Sequence, residues 1–242
     1  MNSASFRFLD ELNDFLSPAR KDTNFDYLFS ENPSVKHLIE AMGVPHTEVG
    51  GICVNGAQAS FGYRVQHGDR IEVTPAFQLN EKQDRPKPLF VLDNHLGQLA
   101  IYLRMLGFDT LYRNDYQDNE LAQVTSQEER ILLTRDRRLL MRKVVVYGYC
   151  IRNLDPRQQV VEVLHRFGLF GNFAPFQRCL RCNHPLQPIS KQDVLDRLEP
   201  LTKRYYDEFH LCPVCDQVYW KGSHFERMQG LIEAVIRRSA DG

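Results

Sequence analysis

The stretch LFVLDNHLGQLAIYLRMLGFDTLY, residues 89–112, decides the fold at the centre of this chain. It opens with a short, fully apolar run, residues 89–92, which is typical of a buried strand. From Leu96 to Gly107 the apolar residues then follow the i, i+3, i+4 and i+7 spacing of an amphipathic helix. A second short strand is predicted at residues 109–112. The order strand, helix, strand indicates a βαβ unit with parallel strands.

The same alternation continues further along the chain. We predict helices over 118–129, 135–143 and 156–167, and strands over 131–134 and 144–147. Apolar strands that alternate with helices are usually covered on both faces. Residues 89–170 are therefore predicted to form an α/β domain around a parallel sheet.

Residues 1–80 have a different pattern, in which short strand-like runs alternate with turn signals. Residues 49–54 are followed by Asn55-Gly56, a strong hairpin signal, and residues 70–74 alternate with period two. A single helix is predicted at 34–42. The order ββαββ indicates a ubiquitin-like β-grasp domain.

A polar, proline-containing linker over 81–88 is predicted to join these two domains. The β-grasp pattern also resembles sulfur carriers, which are activated through a terminal Gly-Gly. Here the last predicted strand runs into the linker without a Gly-Gly pair. A docking or structural role, including contact with a protein partner, is therefore expected instead of carrier chemistry.

The composition argues against membrane insertion and against indiscriminate nucleic-acid binding. No run approaches eighteen apolar residues, and the first residues lack the basic and apolar regions of a signal peptide. We therefore expect a cytoplasmic protein with no membrane partner. The net charge of −1 gives no overall attraction for nucleic acid.

The basic residues are nevertheless concentrated in one part of the chain. A basic patch between residues 130 and 143 is formed by Arg130, Arg135, Arg137, Arg138, Arg142 and Lys143. Such a patch is either a receptor for a phosphate backbone or a solvated helix face.

Four of the six cysteines form two pairs, Cys179-Leu-Arg-Cys182 and Cys212-Pro-Val-Cys215. A two-residue gap lets both thiolates of a pair point at one ion, and two pairs complete the tetrahedral shell of a structural zinc site. Coincidental buried thiols and a redox pair are the alternatives, but neither pair lies in a thioredoxin-like context. Residues 171–242 are predicted to form a Cys₄ zinc ribbon with a C-terminal helix.

Several carboxylates are predicted to lie at the carboxyl ends of the parallel strands, where reactive groups gather in α/β sheets. Asp93 ends the first strand and Asp136 follows the third, while Asp118 and Glu120 open the helix between strands two and three. Such a set suits Mg²⁺ or Mn²⁺ and the hydrolysis of phosphodiesters. Because Asp is also a preferred N-cap residue, a purely structural role explains the same spacing.

Four motifs in series give the chain a family resemblance. They are DNHLGQLA (93–100), LRMLGFDT (103–110), RILLTRD (130–136) and VYWKGSH (218–224). Together with the two cysteine pairs, they resemble the PIN-like RNase family named after the C-terminal region of the Mut-seven exonuclease. The resemblance implies a PIN-type fold, a zinc ribbon and metal-dependent ribonuclease chemistry.

The family resemblance implies that Asp93, Asp136 and Asp118 bind the catalytic metal, with Glu120 as the alternative to Asp118. The first 80 residues resemble the ubiquitin-like domain that precedes some members, including the stretch GVPHTEV at 43–49. RNA is the implied substrate, for which tRNA, rRNA and the ribosome are candidates.

Further residues are candidates for RNA binding. Arg104 is expected either to reach a phosphate or to pair with a surface acid. Trp220 is expected either to stack on bases or to pack the ribbon against the PIN-like sheet. His224 is expected either to stack on bases or to replace a missing cysteine as a zinc ligand. Arg135, Arg137 and Arg138 complete the RNA-binding prediction. A noncatalytic RNA- or ribosome-binding adaptor and a protein–protein module are the alternatives to a ribonuclease.

Overall fold

The computed structural model describes residues 1–76 and 88–222, together with Phe225 and Gly230. Residues 81–87 of the predicted linker, His224 and the predicted C-terminal helix lie outside the described residues. The chain forms two compact units, each built from two segments: residues 1–78 with 117–150, and residues 79–116 with 151–242.

The strands are β1 (Asn2–Phe8), β2 (Phe25–Phe29), β3 (Val49–Val54), β4 (Ala57–Gln58), β5 (Arg70–Pro75), β6 (Phe90–Leu92), β7 (Thr110–Tyr112), β8 (Ile131–Thr134), β9 (Gly148–Cys150), β10 (Gln187–Ile189), β11 (Phe209–Leu211) and β12 (Val218–Trp220). The α-helices are α1 (Val35–Ala41), α2 (Gly97–Met105), α3 (Asp118–Gln127), α4 (Arg137–Leu140), α5 (Pro156–Arg166), α6 (Lys191–Val194) and α7 (Pro200–Tyr205). Short 3₁₀ helices cover Asp10–Phe15, Pro18–Arg20, His46–Glu48, Asn94–Leu96 and Leu195–Arg197.

The first unit contains a mixed five-stranded sheet in the order β2-β1-β5-β3-β4, in which the central pair β1 and β5 is parallel. The turn between β3 and β4 has Asn55 and Gly56 at φ of 52° and 86°, the left-handed geometry of the predicted hairpin. Phe6 and Val73 of the sheet and Ile39 of α1 are fully buried. This is the ubiquitin-like β-grasp arrangement predicted from the sequence.

Residues 117–150 complete the first unit with α3, β8, α4 and β9, and β8 and β9 run parallel. The strand predicted at 144–147 is wrong, because β9 begins only at Gly148. Val146 and Tyr147 are 62% and 58% exposed, so this β-branched run supplies no buried strand. At Gly148 a Cβ would lie 2.5 Å from the Leu140 side chain, which explains why the strand begins at a glycine.

Contacts between the β-grasp segment and residues 137–150 hold the first unit together. The Cys150 backbone amide donates to the fully buried Glu48 carboxylate at 2.6 Å. The His46 ring bridges Glu40 and the Val145 carbonyl at 2.7 and 2.9 Å. The stretch at 43–49 therefore contributes an internal docking surface of this chain.

The second unit contains the parallel pair β6 and β7, with α2 and α5 packed together beside it. Phe90 and Phe108 are fully buried, and their rings meet edge to face. Gly107 ends α2 at φ 90° and lies against the backbone of Ala174, where a Cβ would collide.

Residues 187–220 add an antiparallel sheet in the order β10-β11-β12 to the second unit. Its small core is formed by Val194, Leu198, Phe209 and Val218. The predicted mixed α/β fold, with a ubiquitin-like first part, parallel strand pairs and a cysteine cluster near the C-terminus, is confirmed.

Candidate functional site

The four predicted zinc ligands come together in the second unit. The Sγ atoms of Cys179, Cys182, Cys212 and Cys215 all lie within 4.8 Å of one another. The Cys179–Cys215 and Cys182–Cys212 Sγ pairs are each 3.4 Å apart. Four sulfurs at about 2.3 Å from one zinc ion are about 3.8 Å apart in a tetrahedron, so the cluster is compatible with structural zinc.

The two cysteine pairs share one backbone conformation. In the first, the Asn183 amide donates to the Cys179 carbonyl, and in the second the Asp216 amide donates to the Cys212 carbonyl, both at 2.9 Å. Asn183 and Asp216 also share a left-handed conformation, at φ of 68° and 56°. The same tight turn thus directs both thiols of each pair inward, which the two-residue spacing predicted.

Tyr219 supports the cluster from outside the ligand set. Its hydroxyl accepts from the Leu180 amide and lies 3.1 Å from Cys179 Sγ. Burial raises the pKa of the Cys179 thiol, but hydrogen bonds from the Tyr219 hydroxyl and the Cys182 amide lower it to about 7. Burial also raises the pKa of Tyr219, so its hydroxyl stays protonated and donates to the thiolate.

Arg104 supports the first cysteine pair from α2. Its guanidinium donates to the backbone carbonyls of Thr110, Leu180 and Arg181 at 2.9, 2.9 and 3.1 Å. The residue is 3% exposed, and burial lowers its pKa. The structure corrects the expectation that Arg104 contacts RNA or a surface acid, because its guanidinium lies inside the unit and holds the cysteine loop.

Asn183 and Asp109 hold the same loop against β7, a role that no sequence motif indicated. The Asn183 side chain accepts from the Thr110 amide at 2.9 Å and donates to Asp109 at 2.8 Å. Arg178 forms an ion pair with the other oxygen of Asp109 at 3.0 Å. In the sequence, the position of Asn183 directly after a cysteine pair was the signal for this role. The contact itself was not predictable, because Thr110 lies 73 residues away in the chain.

Asp93 and Asp136 occupy equivalent local positions. Asp93 directly follows β6 and accepts from the His95 amide at 2.9 Å. Asp136 lies two residues after the end of β8 and accepts from the Arg138 amide at 2.8 Å. Asp93 is 5% exposed, whereas Asp136 is exposed. Each carboxylate is therefore an N-cap, as the alternative explanation required, and each lies beyond the carboxyl end of a parallel strand.

Asp118 and Glu120 lie in the first turn of α3 but differ in their contacts. Glu120 accepts from the Gln117 amide at 2.9 Å and forms a capping box. The Asp118 carboxylate is exposed and has no partner among the described residues. Asp118 and Asp136 belong to the first unit and Asp93 to the second, so their convergence stays a prediction.

Three of the six members of the basic patch, Arg130, Arg137 and Arg142, form contacts with other residues of the first unit. Arg137 donates to the Phe15 carbonyl at 3.1 Å and lies 4.9 Å from the centre of the Phe15 ring. Arg130 is 7% exposed and pairs with Glu128, and Arg142 donates to Asn119. Arg135, Arg138 and Lys143 are exposed. Part of the patch therefore has a structural role. Arg135, Arg138 and Lys143 remain candidates for contact with phosphate.

Trp220 is half-buried and packs with Phe209 in the small core of the ribbon. Its ring therefore stabilises the ribbon itself, and a contact with RNA stays a prediction. His224 lies outside the described residues.

Among the described residues, no helix has the length and apolar character needed to cross a membrane.

Comparison with known proteins identifies the family. The model of the Mut7-C RNAse domain matches residues 88–232, and that of the Mut7-C ubiquitin domain matches residues 1–81. This chain belongs to the Mut7-C RNAse family. Its RNAse domain match includes the cysteine cluster and all four candidate carboxylates, while the β-grasp part is its Mut7-C ubiquitin domain. No curated protein and no solved structure matches the chain.

Proposed function

We propose that this Mut7-C RNAse protein is a metal-dependent ribonuclease that acts on a structured or specific RNA. The observation that carries the proposal is the match of the RNAse domain over residues 88–232. This range includes Asp93, a residue that is 5% exposed and lies beyond the carboxyl end of a parallel strand. Asp93, Asp118 and Asp136 are the proposed ligands of Mg²⁺ or Mn²⁺. Oxygen ligands of this kind suit both ions.

The contacts of the acids distinguish Asp118 from Glu120. Glu120 is held by the amide at the start of its own helix, whereas the Asp118 carboxylate has no partner among the described residues. In the described part of the chain, one Asp136 oxygen accepts from Arg138 and the other has no partner. Asp118 is therefore the better candidate for the third ligand.

The chain's own residues orient the proposed carboxylates. The amides of His95 and Arg138 each fix one oxygen of Asp93 and Asp136, which restricts the rotation of both side chains. When bound, the ion supplies an activated water and stabilises the charge on the leaving oxygen. The exposed side chains of Arg138 and Lys143 are proposed to receive the phosphate backbone.

We also propose that the cysteine cluster holds one structural zinc ion. Four sulfurs in matching backbone turns, supported by Tyr219 and Arg104, suit this ion. The zinc would stabilise the ribbon and leave hydrolysis to the carboxylates.

A noncatalytic RNA-binding adaptor is the second candidate. One specific observation favours it: Asp93 and Asp136 already have a structural function as N-caps. A carboxylate that only caps a helix needs no metal, so the same residues are compatible with a protein that binds RNA without cleaving it.

The decisive experiment compares Asp93→Asn, Asp118→Asn and Asp136→Asn with a matched control, Asp155→Asn. Asp155 caps α5 with the same contact, to the Arg157 amide at 3.1 Å, but it is not a proposed ligand. Asn retains most of the capping ability and loses the charge. The three test variants should keep their fold, lose Mn²⁺ binding and cleave RNA about a hundredfold more slowly or worse, while the control stays active.

The assay uses wild-type protein with a panel of transfer, ribosomal and unstructured RNAs in Mg²⁺ and Mn²⁺. Wild-type protein that binds members of the panel but cleaves none of them would reject the ribonuclease and support the adaptor. Equal Mn²⁺ binding by all four variants would reject the ligand assignment.

A further inference from the structure

The second unit contains an apolar pocket of about 530 Å³ beside the cysteine cluster. It is lined by Ile101 and Met105 of α2, by Leu180 of the cysteine loop, and by Tyr219 and Trp220 of β12. Phe176 and Phe225 also line it, with their ring centroids 4.6 Å apart. The volume falls within the range of about 300–1,000 Å³ that is usual for sites of small organic groups.

Phe176 has a backbone conformation that is unusual for a large residue. Its φ is 61°, in the left-handed region that disfavours bulky side chains. In this conformation the ring stacks on His210, with centroids 5.3 Å apart and an interplanar angle of 21°. An aromatic ring is thus held in a fixed orientation at the pocket.

Two arginines border the pocket, and they differ in their contacts. Arg178 is engaged by the ion pair with Asp109 and by a hydrogen bond to the Asn183 carbonyl. The Arg181 side chain is exposed, and no described residue pairs with its guanidinium. Its backbone is fixed, because its carbonyl accepts from Arg104. Arg181 therefore places a positive charge at the border of the pocket, on a backbone that is held in position and without a partner among the described residues.

We propose that this pocket binds one unpaired base of a single-stranded RNA segment, and that Arg181 contacts the neighbouring phosphate. Aromatic side chains can bind any base through its π face, and a cation beside them attracts the backbone. This proposal rests on the proposed function only in taking RNA as the ligand, and it does not require cleavage. It assigns a role to Trp220 and Arg181 that is separate from the carboxylates.

The shape of the site favours an unpaired base over a duplex. Bases inside a duplex are already stacked and cannot enter a pocket, whereas an extruded base leaves its stack at a cost of a few kcal/mol or none. Gln217 also lines the pocket, and its side-chain amide donates to the Val218 carbonyl at 3.3 Å. Single-stranded RNA is therefore expected to bind through this site and duplex RNA of the same sequence is not.

The test uses the full chain carrying Asp93→Asn, so that binding is measured without cleavage. Two variants address the site: Arg181→Glu reverses the charge at the border, and Ile101→Trp fills the apolar space. Arg204→Glu is the matched control, because Arg204 is exposed in the same unit and does not line the pocket. Zinc content and thermal unfolding are measured for each variant, to establish that the ribbon is intact.

The probe is a short oligouridylate that contains 4-thiouridine, used as a single strand and as a duplex. Both site variants should bind the single strand about tenfold more weakly or worse, since stacking and phosphate contacts contribute on this scale. The control should bind as the parent does, and cross-links in the parent should map to Phe176, Tyr219 or Trp220.

Unchanged binding by both folded site variants would overturn the proposal, as would cross-links confined to other parts of the chain. Equal weakening of duplex binding would also overturn it, because it would indicate a general electrostatic contact. Binding of an acidic peptide in the pocket, without competition from the oligouridylate, would identify a protein-binding groove instead. These outcomes concern binding alone, so they are distinguishable from a failure of the proposed cleavage.

Discussion

Replacing Arg104 by methionine tests whether this residue holds the cysteine loop against α2 and β7. Methionine keeps an unbranched apolar stem in a site that is 3% exposed, but it removes all three donated hydrogen bonds. Hydrogen bonds from a charged donor contribute about 1.5–3 kcal/mol each. Loss of the guanidinium leaves the buried Thr110 carbonyl and the two part-buried carbonyls of Leu180 and Arg181 without this donor. Because these terms are not fully additive, we expect the free energy of unfolding to fall by about 3–5 kcal/mol.

The same change should weaken the zinc site, because two of the three carbonyls belong to Leu180 and Arg181, between the first two cysteines. Urea unfolding followed by Trp220 fluorescence measures the stability, and transfer of zinc to a chromogenic chelator measures its release. Arg104→Lys is the control that keeps the charge but cannot reach all three carbonyls, and it should give an intermediate loss. A loss below about 1 kcal/mol with unchanged zinc release would refute the bracing role. Reduced RNA binding at unchanged stability would restore the surface role expected from the sequence.

Three further predictions concern the supports of the two units. Tyr219→Phe removes the hydrogen bond to Cys179, so the free energy of unfolding should fall by about 1 kcal/mol and zinc release should become faster. An unchanged release rate would contradict the role of the hydroxyl. Chelation of the zinc should unfold the ribbon and leave the β-grasp sheet folded, because metal binding contributes directly to the folding free energy of a zinc ribbon. Amide exchange measures the folding of both regions. A zinc content well below one ion per chain, by elemental analysis, would reject the site. Arg137→Ala removes the contacts with Phe15 and should lower the free energy of unfolding by about 1–2 kcal/mol. Amide exchange should become faster at residues 10–16 and 137–140. Equal exchange in wild type and variant would show that this contact does not stabilise the protein.

The local patterns of the sequence predicted those features whose causes lie within a few residues. The strand at 131–134, the hairpin at Asn55-Gly56 and the paired cysteine turns all follow from short-range spacing. Each depends on apolar periodicity or on the backbone conformation that a few neighbouring residues allow. The capping function of Asp93 and Asp136 was equally available, because an Asp before a helix is bonded to an amide two residues later.

Only the tertiary structure decided the roles of residues whose partners are far away in the chain. Arg104 contacts the carbonyl of Leu180, 76 residues away, and the Glu48 carboxylate accepts from an amide 102 residues away. A basic residue on a helix and an acid in a turn look the same in sequence whether they face water or a buried carbonyl or amide. The start of β9 was decided in the same way. The run of valines before Gly148 has high strand propensity, but strand formation depends on pairing and burial. Pairing with β8 begins at Gly148, where the Leu140 side chain leaves no room for a Cβ.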